Sequence, residues 1–364
     1  MRILIAGGGT GGHLFPGIAM AKEFETKDPQ NLVLFVGARR KIAHQILKQH
    51  GYETDEIESE AIMGKDLTHA AYAAYKVLKG LRQSLSILKD FSPHLVVGVG
   101  GYSSGPMVLA AYMLRIRTAL HEQNVLPGLT NRILSRFVNK IFISFPESKN
   151  YFSSKKTILT GNPIRQELLN GQDLSHPKRG FTVLIIGGSQ GAHQVNARFI
   201  SCLSHLEDLK ESLNIIHQTG ERDFEYVKNS YHNLPFKRKV FPFIDDMAWA
   251  YGQSDLVLGR AGATTIAELT ALGKPSILIP YPYASDNHQE MNARVLVKKG
   301  AAHMILNRDL NGKQLADIIR MFYHHPQTLK IMANRAANLG RRDASKVIVD
   351  ECYKLVSDRD RDRE

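Results

Sequence analysis

Two histidines and one carboxylate stand where this chain could move a proton. His13 follows the glycine run Gly7-Gly8-Gly9-Thr10-Gly11-Gly12, and His121-Glu122 opens the polar quartet His121-Glu122-Gln123-Asn124. Imidazole titrates near pH 6.5 in model peptides, so a pocket histidine can take the proton of an attacking hydroxyl. The competing reading of His13 is a loop hydrogen bond or a helix cap. For the quartet it is a solvated loop, because polar groups at the end of an apolar run are costly without partners. A second set of residues suits a phosphorylated ligand. Arg260 and Arg165 can offer charge-assisted forks to a diphosphate, and Glu268 can accept from both hydroxyls of a ribose. Asp286-Asn287-His288-Gln289-Glu290-Met291-Asn292 supplies amides for sugar hydroxyls. Taken singly, each of these is equally an ordinary surface group, and Glu268 a carboxylate near a helix start.

What would position these groups is a motif written twice. Arg2–Ala6 runs into Gly7–His13, and Thr182–Ile186 runs into Gly187-Gly188-Ser189-Gln190-Gly191-Ala192-His193. Each copy predicts a buried strand, a glycine turn and a helix start, the arrangement that brings backbone amides and a helix dipole onto an anion. Short apolar runs at Leu32–Val36, Leu95–Val99, Thr118–Leu120, Lys140–Ile143 and Thr157–Leu159 alternate with helical stretches at Ile42–Gln49 and Ala70–Leu88. The second half repeats the alternation at Val183–Ile186, Asn214–His217, Lys239–Phe241, Leu256–Leu258, Ser276–Ile279 and His303–Leu306, with a long helical region from Pro326 to Val356. The pattern predicts an α/β protein of two Rossmann-like, doubly wound domains facing each other across a cleft, with ligand at the carboxyl ends of the strands. The breaker Gly161-Asn162-Pro163 divides it into residues 1–161 and 162–340, and residues 341–364 read as a helix returning to the first domain, plus a tail.

At 364 residues the chain is long for one core, in keeping with two domains. A formal charge of +12 favours anionic partners, and no recognition helix or basic-aromatic repeat singles out nucleic acid. Cys202 and Cys352 fit no metal spacing and read as thiols in a reducing compartment. The amino terminus is strand-like rather than a signal peptide, and no apolar run reaches bilayer length, so the predicted location is cytoplasmic. The segment Ile62–Leu88 mixes apolar residues with lysines and an arginine, which suits either a helix on its own domain or a face on acidic lipid.

Taken together and in order, Gly7–Gly17, Gly100–Pro106 (GGYSSGP), His121–Asn124 (HEQN), Gly161–Arg165 (GNPIR), Gly187–Ala192, Phe243–Met247 (FIDDM), Arg260–Glu268 and His288–Asn292 resemble the bacterial MurG family of N-acetylglucosaminyltransferases. The resemblance runs through essentially the whole chain. It implies a GT-B glycosyltransferase that moves N-acetylglucosamine from UDP-N-acetylglucosamine, with inversion, to the muramoyl 4-hydroxyl of lipid I, giving lipid II for peptidoglycan. Carried over by position, it implies donor contacts from Thr10, Gly11, Gly12, Asn124, Arg165, Ser189, Gln190, Ile244, Arg260, Ala263, Thr264, Thr265, Ile266, Ala267, Glu268 and Gln289. Asn124 and Gln289 would touch the sugar, Ile244 the uracil through its backbone, and Glu268 the ribose. His13 is the first candidate base, with His121 and Glu122 as alternates. Ala261 and His288 depart from the residues common in relatives, serine and, in some, glutamine. The resemblance also implies peripheral attachment to the anionic cytoplasmic face of the inner membrane, with other cell-wall synthesis proteins as partners.

No DxD pair stands where a metal-dependent transferase needs one, so no required metal or cofactor is predicted. Three rivals remain on the residues alone. A UDP-N-acetylglucosamine 2-epimerase shares the nucleotide half, and a non-catalytic UDP-sugar-binding subunit would not need the first domain. Gly7, Gly9 and Gly12 also satisfy the dinucleotide pattern, with Arg39-Arg40 placed for an NADP phosphate, but that reading leaves the second glycine turn unexplained.

Overall fold

The computed structural model describes residues 1–8, 11–38, 41–58, 67–170, 180–188 and 190–361, and side chains outside 41–42, 67–74, 170 and 359–361. Two compact units divide the chain: Met1–Arg165 with Arg342–Glu364, and Gln166–Arg341.

The first unit is built on β1 (Arg2–Ala6), α1 (Gly11–Lys27), β2 (Leu32–Ala38), α2 (Lys41–Gln49), β3 (Glu53–Ile57), α3 (Leu67–Phe91), β4 (Leu95–Gly98), α4 (Ser104–Met113), β5 (Arg117–Glu122), α5 (Leu129–Leu134), β6 (Lys140–Ile143) and β7 (Thr157–Leu159). Its strands pair in parallel in the order β3-β2-β1-β4-β5-β6-β7. Because side chains alternate along a strand, Ile3 and Ile5 of β1 enter one core while Leu4 and Ala6 enter the other. Strand β3 has no counterpart among the apolar runs of the sequence. Its residues Glu53-Thr54-Asp55-Glu56-Ile57 are polar because it lies at the sheet edge, where only Ile57 is buried.

The second unit carries α6 (Gln166–Asn170), β8 (Phe181–Ile186), α7 (His193–Leu203), β9 (Leu213–Gln218), α8 (Phe224–Ser230), β10 (Lys237–Phe241), α9 (Met247–Gln253), β11 (Leu256–Gly259), α10 (Ala263–Ala271), β12 (Ser276–Leu278), α11 (His288–Lys298), β13 (His303–Met304), α12 (Gly312–His324) and α13 (Pro326–Leu339). Its parallel order, β10-β9-β8-β11-β12-β13, repeats that of the first sheet from its outer strand inward and out again. In both sheets the order reverses beside the strand that feeds a glycine turn: between β1 and β4, and between β8 and β11. Such reversal points leave a crevice at the strands' carboxyl ends.

The long helical region read from Pro326 to Val356 is two helices, α13 and α14 (Ala344–Arg361), interrupted after Leu339. Gly340 sits so close to the backbone of Thr270 that a Cβ there would meet its carbonyl oxygen at 2.5 Å. Helix α14 then packs on α1 in the first unit, placing Ile348, Val349, Cys352 and Leu355 in the same core as Ile3 and Phe24. Asn31 ties the pair together, donating to the Tyr353 hydroxyl at 2.7 Å while accepting from the amino terminus at 2.7 Å. Cys202 and Cys352 are buried thiols, and burial pushes both well above the usual cysteine range.

Candidate functional site

At the first reversal point the backbones of the two flanking turns nearly touch. Gly7 has φ +126°, and a Cβ on it would stand 2.3 Å from the Gly100 carbonyl oxygen. Only glycine allows this approach, which sets the start of α1 against the turn after β4. His13 lies in the first turn of α1, half-buried, beside Gly11 and Gly12. A Cβ on Gly100 would sit 2.9 Å from His13 Cε1, so this glycine gives the imidazole its space. Thr10 lies outside the described residues.

Strand β5 runs two residues further than its apolar run, so His121 and Glu122 are its last residues rather than the start of a loop. Both are buried, and both are paired. His121 Nε2 donates to the Gly161 carbonyl at 3.3 Å, and its Nδ1 accepts from Gln123 Nε2 at 3.1 Å. Burial holds the His121 pKa down to about 4, opposed by the hydrogen bond to Gly161 and aided by nearby His13. Glu122 accepts from the Asn124 backbone at 2.9 Å, the Asn124 amide at 3.3 Å, the Gly128 backbone at 3.2 Å and the Asn131 amide at 2.8 Å. Burial raises its pKa, and those donors act against the rise. The carboxylate therefore shapes the turn from β5 into α5 and holds Asn124 half-buried at its mouth. Of the three groups with acid–base chemistry, His13 is the one that is not wholly buried.

After β7, Gly161 at φ +88° turns the chain so that its carbonyl meets His121 and Arg165 reaches back over the ring of Phe15 at 5.2 Å. Neither amide atom of buried Asn162 has a hydrogen-bond partner among the described residues. Both a donor and an acceptor are thus unused within the same turn. Sequence reasoning singled out neither Asn162 nor Gln123; both lay inside motifs and carried no chemistry of their own.

The second reversal point is built alike. Gly191, at φ +75°, passes so close to Thr219 that a Cβ would meet its carbonyl oxygen at 2.0 Å. Gln190 is exposed on this turn, and Ser189 lies outside the described residues. Gln218, the last residue of β9, donates to the Gly188 carbonyl at 3.0 Å and accepts the Ile244 backbone N–H at 2.9 Å. The resemblance implies a backbone contact of Ile244 with uracil, and in this structure the Ile244 N–H is engaged by a side chain of its own unit. A buried polar pair, His217-Gln218, closing an apolar strand was the available signal for Gln218.

Helix α10 starts at Ala263 behind Gly262 and directs its first-turn amides, with Thr264 and Thr265, toward the mouth of this crevice. Ile266 is buried and Ala267 half-buried, so their side chains pack while Glu268 is held at 7 % exposure by a 2.8 Å hydrogen bond from the Tyr251 hydroxyl. Arg260 is nearly buried. Its Nη1 donates to the carbonyls of Ile279 at 3.2 Å and Pro280 at 3.1 Å and to Asn307 Oδ1 at 2.9 Å, and the guanidinium lies over Tyr281. Burial lowers its pKa to about 10, leaving it a cation at neutral pH. Gln289 on α11 accepts the Tyr281 N–H at 2.9 Å, which anchors the turn carrying Tyr281 and Tyr283. Among the described residues no three His, Cys, Asp or Glu side chains group as a metal site.

The first unit thus brings His13, Asn124 and Arg165 to one reversal point, with His121 and Glu122 beneath. The second brings Gln190, Ile244, Arg260, the start of α10, Glu268 and Gln289 to the ends of β8, β9, β11 and β12. Residues 3–143 match the glycosyltransferase family 28 N-terminal domain and residues 182–348 the glycosyltransferase family 28 C-terminal domain. The UDP-N-acetylglucosamine–N-acetylmuramyl-(pentapeptide) pyrophosphoryl-undecaprenol N-acetylglucosamine transferase of Syntrophus aciditrophicus is 50% identical over 358 residues, covering 98% of this chain and 99% of that one. The crystal structure of Acinetobacter baumannii MurG superposes with a TM-score of 0.79 at 31% identity, over 97% of this chain and 99% of that chain. UDP-GlcNAc 2-epimerase from Neisseria meningitidis, at 17% identity and a TM-score of 0.69 over 97% of this chain and 100% of that one, shares the fold. The chain belongs to glycosyltransferase family 28 and, within it, to the MurG family of GT-B N-acetylglucosamine transferases.

Proposed function

We propose that this chain transfers N-acetylglucosamine from UDP-N-acetylglucosamine to the muramoyl 4-hydroxyl of lipid I, with inversion, to form lipid II. The reading is carried by 50% identity to a transferase of that name across both units, so neither the acceptor half nor the nucleotide half has been lost. The first unit receives the acceptor and the second holds the UDP-sugar. As the acceptor oxygen bonds to the anomeric carbon, His13 takes its proton. The bond from that carbon to the diphosphate breaks, and its electron pair leaves on UDP. The amides at the start of α10 offset the charge that develops on the departing diphosphate.

The same reading places the protein on the cytoplasmic face of the inner membrane, beside other wall-synthesis proteins. No described helix is long and apolar enough to cross a bilayer. Supporting peripheral attachment, Tyr75 and Leu78 of α3, Tyr112 and Met113 of α4, and Leu129 and Ile133 of α5 are exposed on successive packed helices. Arg82, Arg115, Arg132 and Arg136 are exposed on the same elements or just beyond them.

The test is transfer of labelled sugar from UDP-N-acetylglucosamine to a soluble lipid I analogue, with UDP release followed in parallel. Coupled transfer and release is the expected result. Release without transfer would favour hydrolysis or epimerase-like chemistry, the alternative that the shared fold keeps open. EDTA leaves turnover unchanged if the diphosphate is neutralised by protein groups alone.

A further inference from the structure

A chain of hydrogen bonds beneath His13 has only one possible proton order. It begins at two backbone carbonyls, which can accept and never donate. The Val99 carbonyl lies 2.8 Å from Gln123 Nε2, and the Gly161 carbonyl lies 3.3 Å from His121 Nε2. The first contact fixes the Gln123 amide, since the opposite rotamer would set its oxygen against the Val99 oxygen. The second requires a proton on His121 Nε2. Buried His121 is neutral at physiological pH, so its Nδ1 is a lone pair, and Gln123 Nε2 donates to it at 3.1 Å. Both fixed ends agree on the same orientation of Gln123, which is itself 1 % exposed. The amide oxygen of Gln123 therefore faces His13 Nδ1 at 3.2 Å, and it can only accept.

We infer that Gln123 is a positioning residue for the transfer reaction, holding His13 as its Nδ1–H tautomer so that Nε2 is the basic nitrogen. The inference rests on His13 being the base. A free neutral imidazole favours the opposite tautomer, with the proton on Nε2, which would present a donor to the acceptor hydroxyl. The Gln123 oxygen reverses that preference and also stabilises the imidazolium that forms when the proton is taken. The ring cannot swing away cheaply, because the Gly100 backbone flanks its Cε1 edge. Among the described residues, nearby ionisable groups include His121, Arg165 above Phe15, and Glu122, whose carboxylate is turned to Asn131 on α5.

The test compares Gln123→Met, Gln123→Glu and His13→Ala in the full chain, with circular dichroism and urea unfolding confirming that the first unit is folded in each. Gln123→Met removes the acceptor, so kcat falls by about tenfold, the worth of one hydrogen bond to a charged group, and the acid limb of the pH–kcat profile moves to lower pH. Gln123→Glu, protonated so that its O–H faces the Val99 carbonyl, keeps a carbonyl oxygen for Nδ1, restores most of kcat and leaves the limb near that of the parent. Nitrogen-15 spectra assign His13 as the Nδ1–H form in the parent and as a mixture in Gln123→Met. A defect in packing alone would lower stability without moving the limb in Gln123→Met or returning it in Gln123→Glu. An unmoved limb in Gln123→Met together with an inactive His13→Ala overturns the role of Gln123 while leaving the base in place. Near-normal kcat in His13→Ala overturns the base assignment and this inference with it.

Discussion

Tyr251 donates its hydroxyl to Glu268 Oε2 at 2.8 Å, and both side chains are buried beneath the start of α10. The bond fixes one carboxylate oxygen and so fixes the direction in which the other can accept. If Glu268 holds the ribose hydroxyls, Tyr251 acts on nucleotide affinity rather than on chemistry. Tyr251→Phe then raises the KM for UDP-N-acetylglucosamine and the Kd for UDP together, by about tenfold, as expected for a lost hydrogen bond to a charged group. Steady-state kinetics and calorimetry separate the cases. A fall in kcat with unchanged UDP affinity would remove Glu268 from ribose recognition.

Glu122 offers a contrast between a group that builds a site and one that reacts. Its two oxygens take four hydrogen bonds from Asn124, Gly128 and Asn131. Glu122→Gln turns one acceptor into a donor facing donors, which costs about 1–3 kcal/mol of stability. The shape of the turn survives, so kcat stays within a few-fold of the parent. Denaturant unfolding and transfer rates measured on one preparation give both numbers. Loss of kcat by 10²-fold with stability intact would make Glu122 the base instead of His13.

The doubly wound architecture was legible because both central strands are continuous apolar runs ending in glycine turns, a signal that burial on two faces makes strong. Strand β3 was not, since an edge strand needs few apolar residues, and the contact of Gly340 with the backbone of Thr270 that separates the last two helices was not legible either. His13, Glu268 and Arg165 stood out as candidates because their side chains carry charge or can exchange a proton. Gln123, Gln218 and Tyr251 were missed because a neutral polar side chain acquires a role only from its partners, and most of those lie far away in sequence. The Ile244 N–H is the instructive case. Its neighbours in FIDDM suggest nothing, yet Gln218, twenty-six positions earlier, already accepts from it.

His121 and His217 make stability depend on pH in a definite direction. Burial lowers their pKa values to about 4 and about 3, against about 6.5 in the unfolded chain. The unfolded state therefore binds more protons throughout that interval. Their contribution is complete above pH 6.5, declines as pH falls toward the folded values, and is constant below them. The slope approaches about 1.4 kcal/mol per pH unit for each histidine inside the window. Urea midpoints should fall steeply from pH 6.5 to pH 4.5. His217 bonds the Tyr231 hydroxyl at 2.9 Å and Asn196 at 3.1 Å, so His217→Gln lowers stability at pH 7 but flattens the slope of the second unit. An unchanged slope would mean that His217 already carries a proton in the fold.

The exposed apolar residues of α3, α4 and α5 give the membrane reading its own test. Leu78, Met113 and Leu129 are 61%, 56% and 67% exposed, and a folded protein gains nothing from three such side chains in water. Each contributes up to ~1.5–3 kcal/mol if it enters an apolar phase, while basic residues beside an anionic surface add about 1 kcal/mol each. Sedimentation with vesicles containing anionic lipid should therefore capture the protein at low salt and release much of it as salt screens the arginines. Arg132→Glu with Arg136→Glu should weaken capture most at low salt, and Leu78→Ser with Leu129→Ser should weaken it at every salt concentration. All four side chains are exposed, so transfer to a soluble acceptor analogue should stay near the parent rate. Equal capture of all variants would place the membrane-contacting surface elsewhere on the molecule.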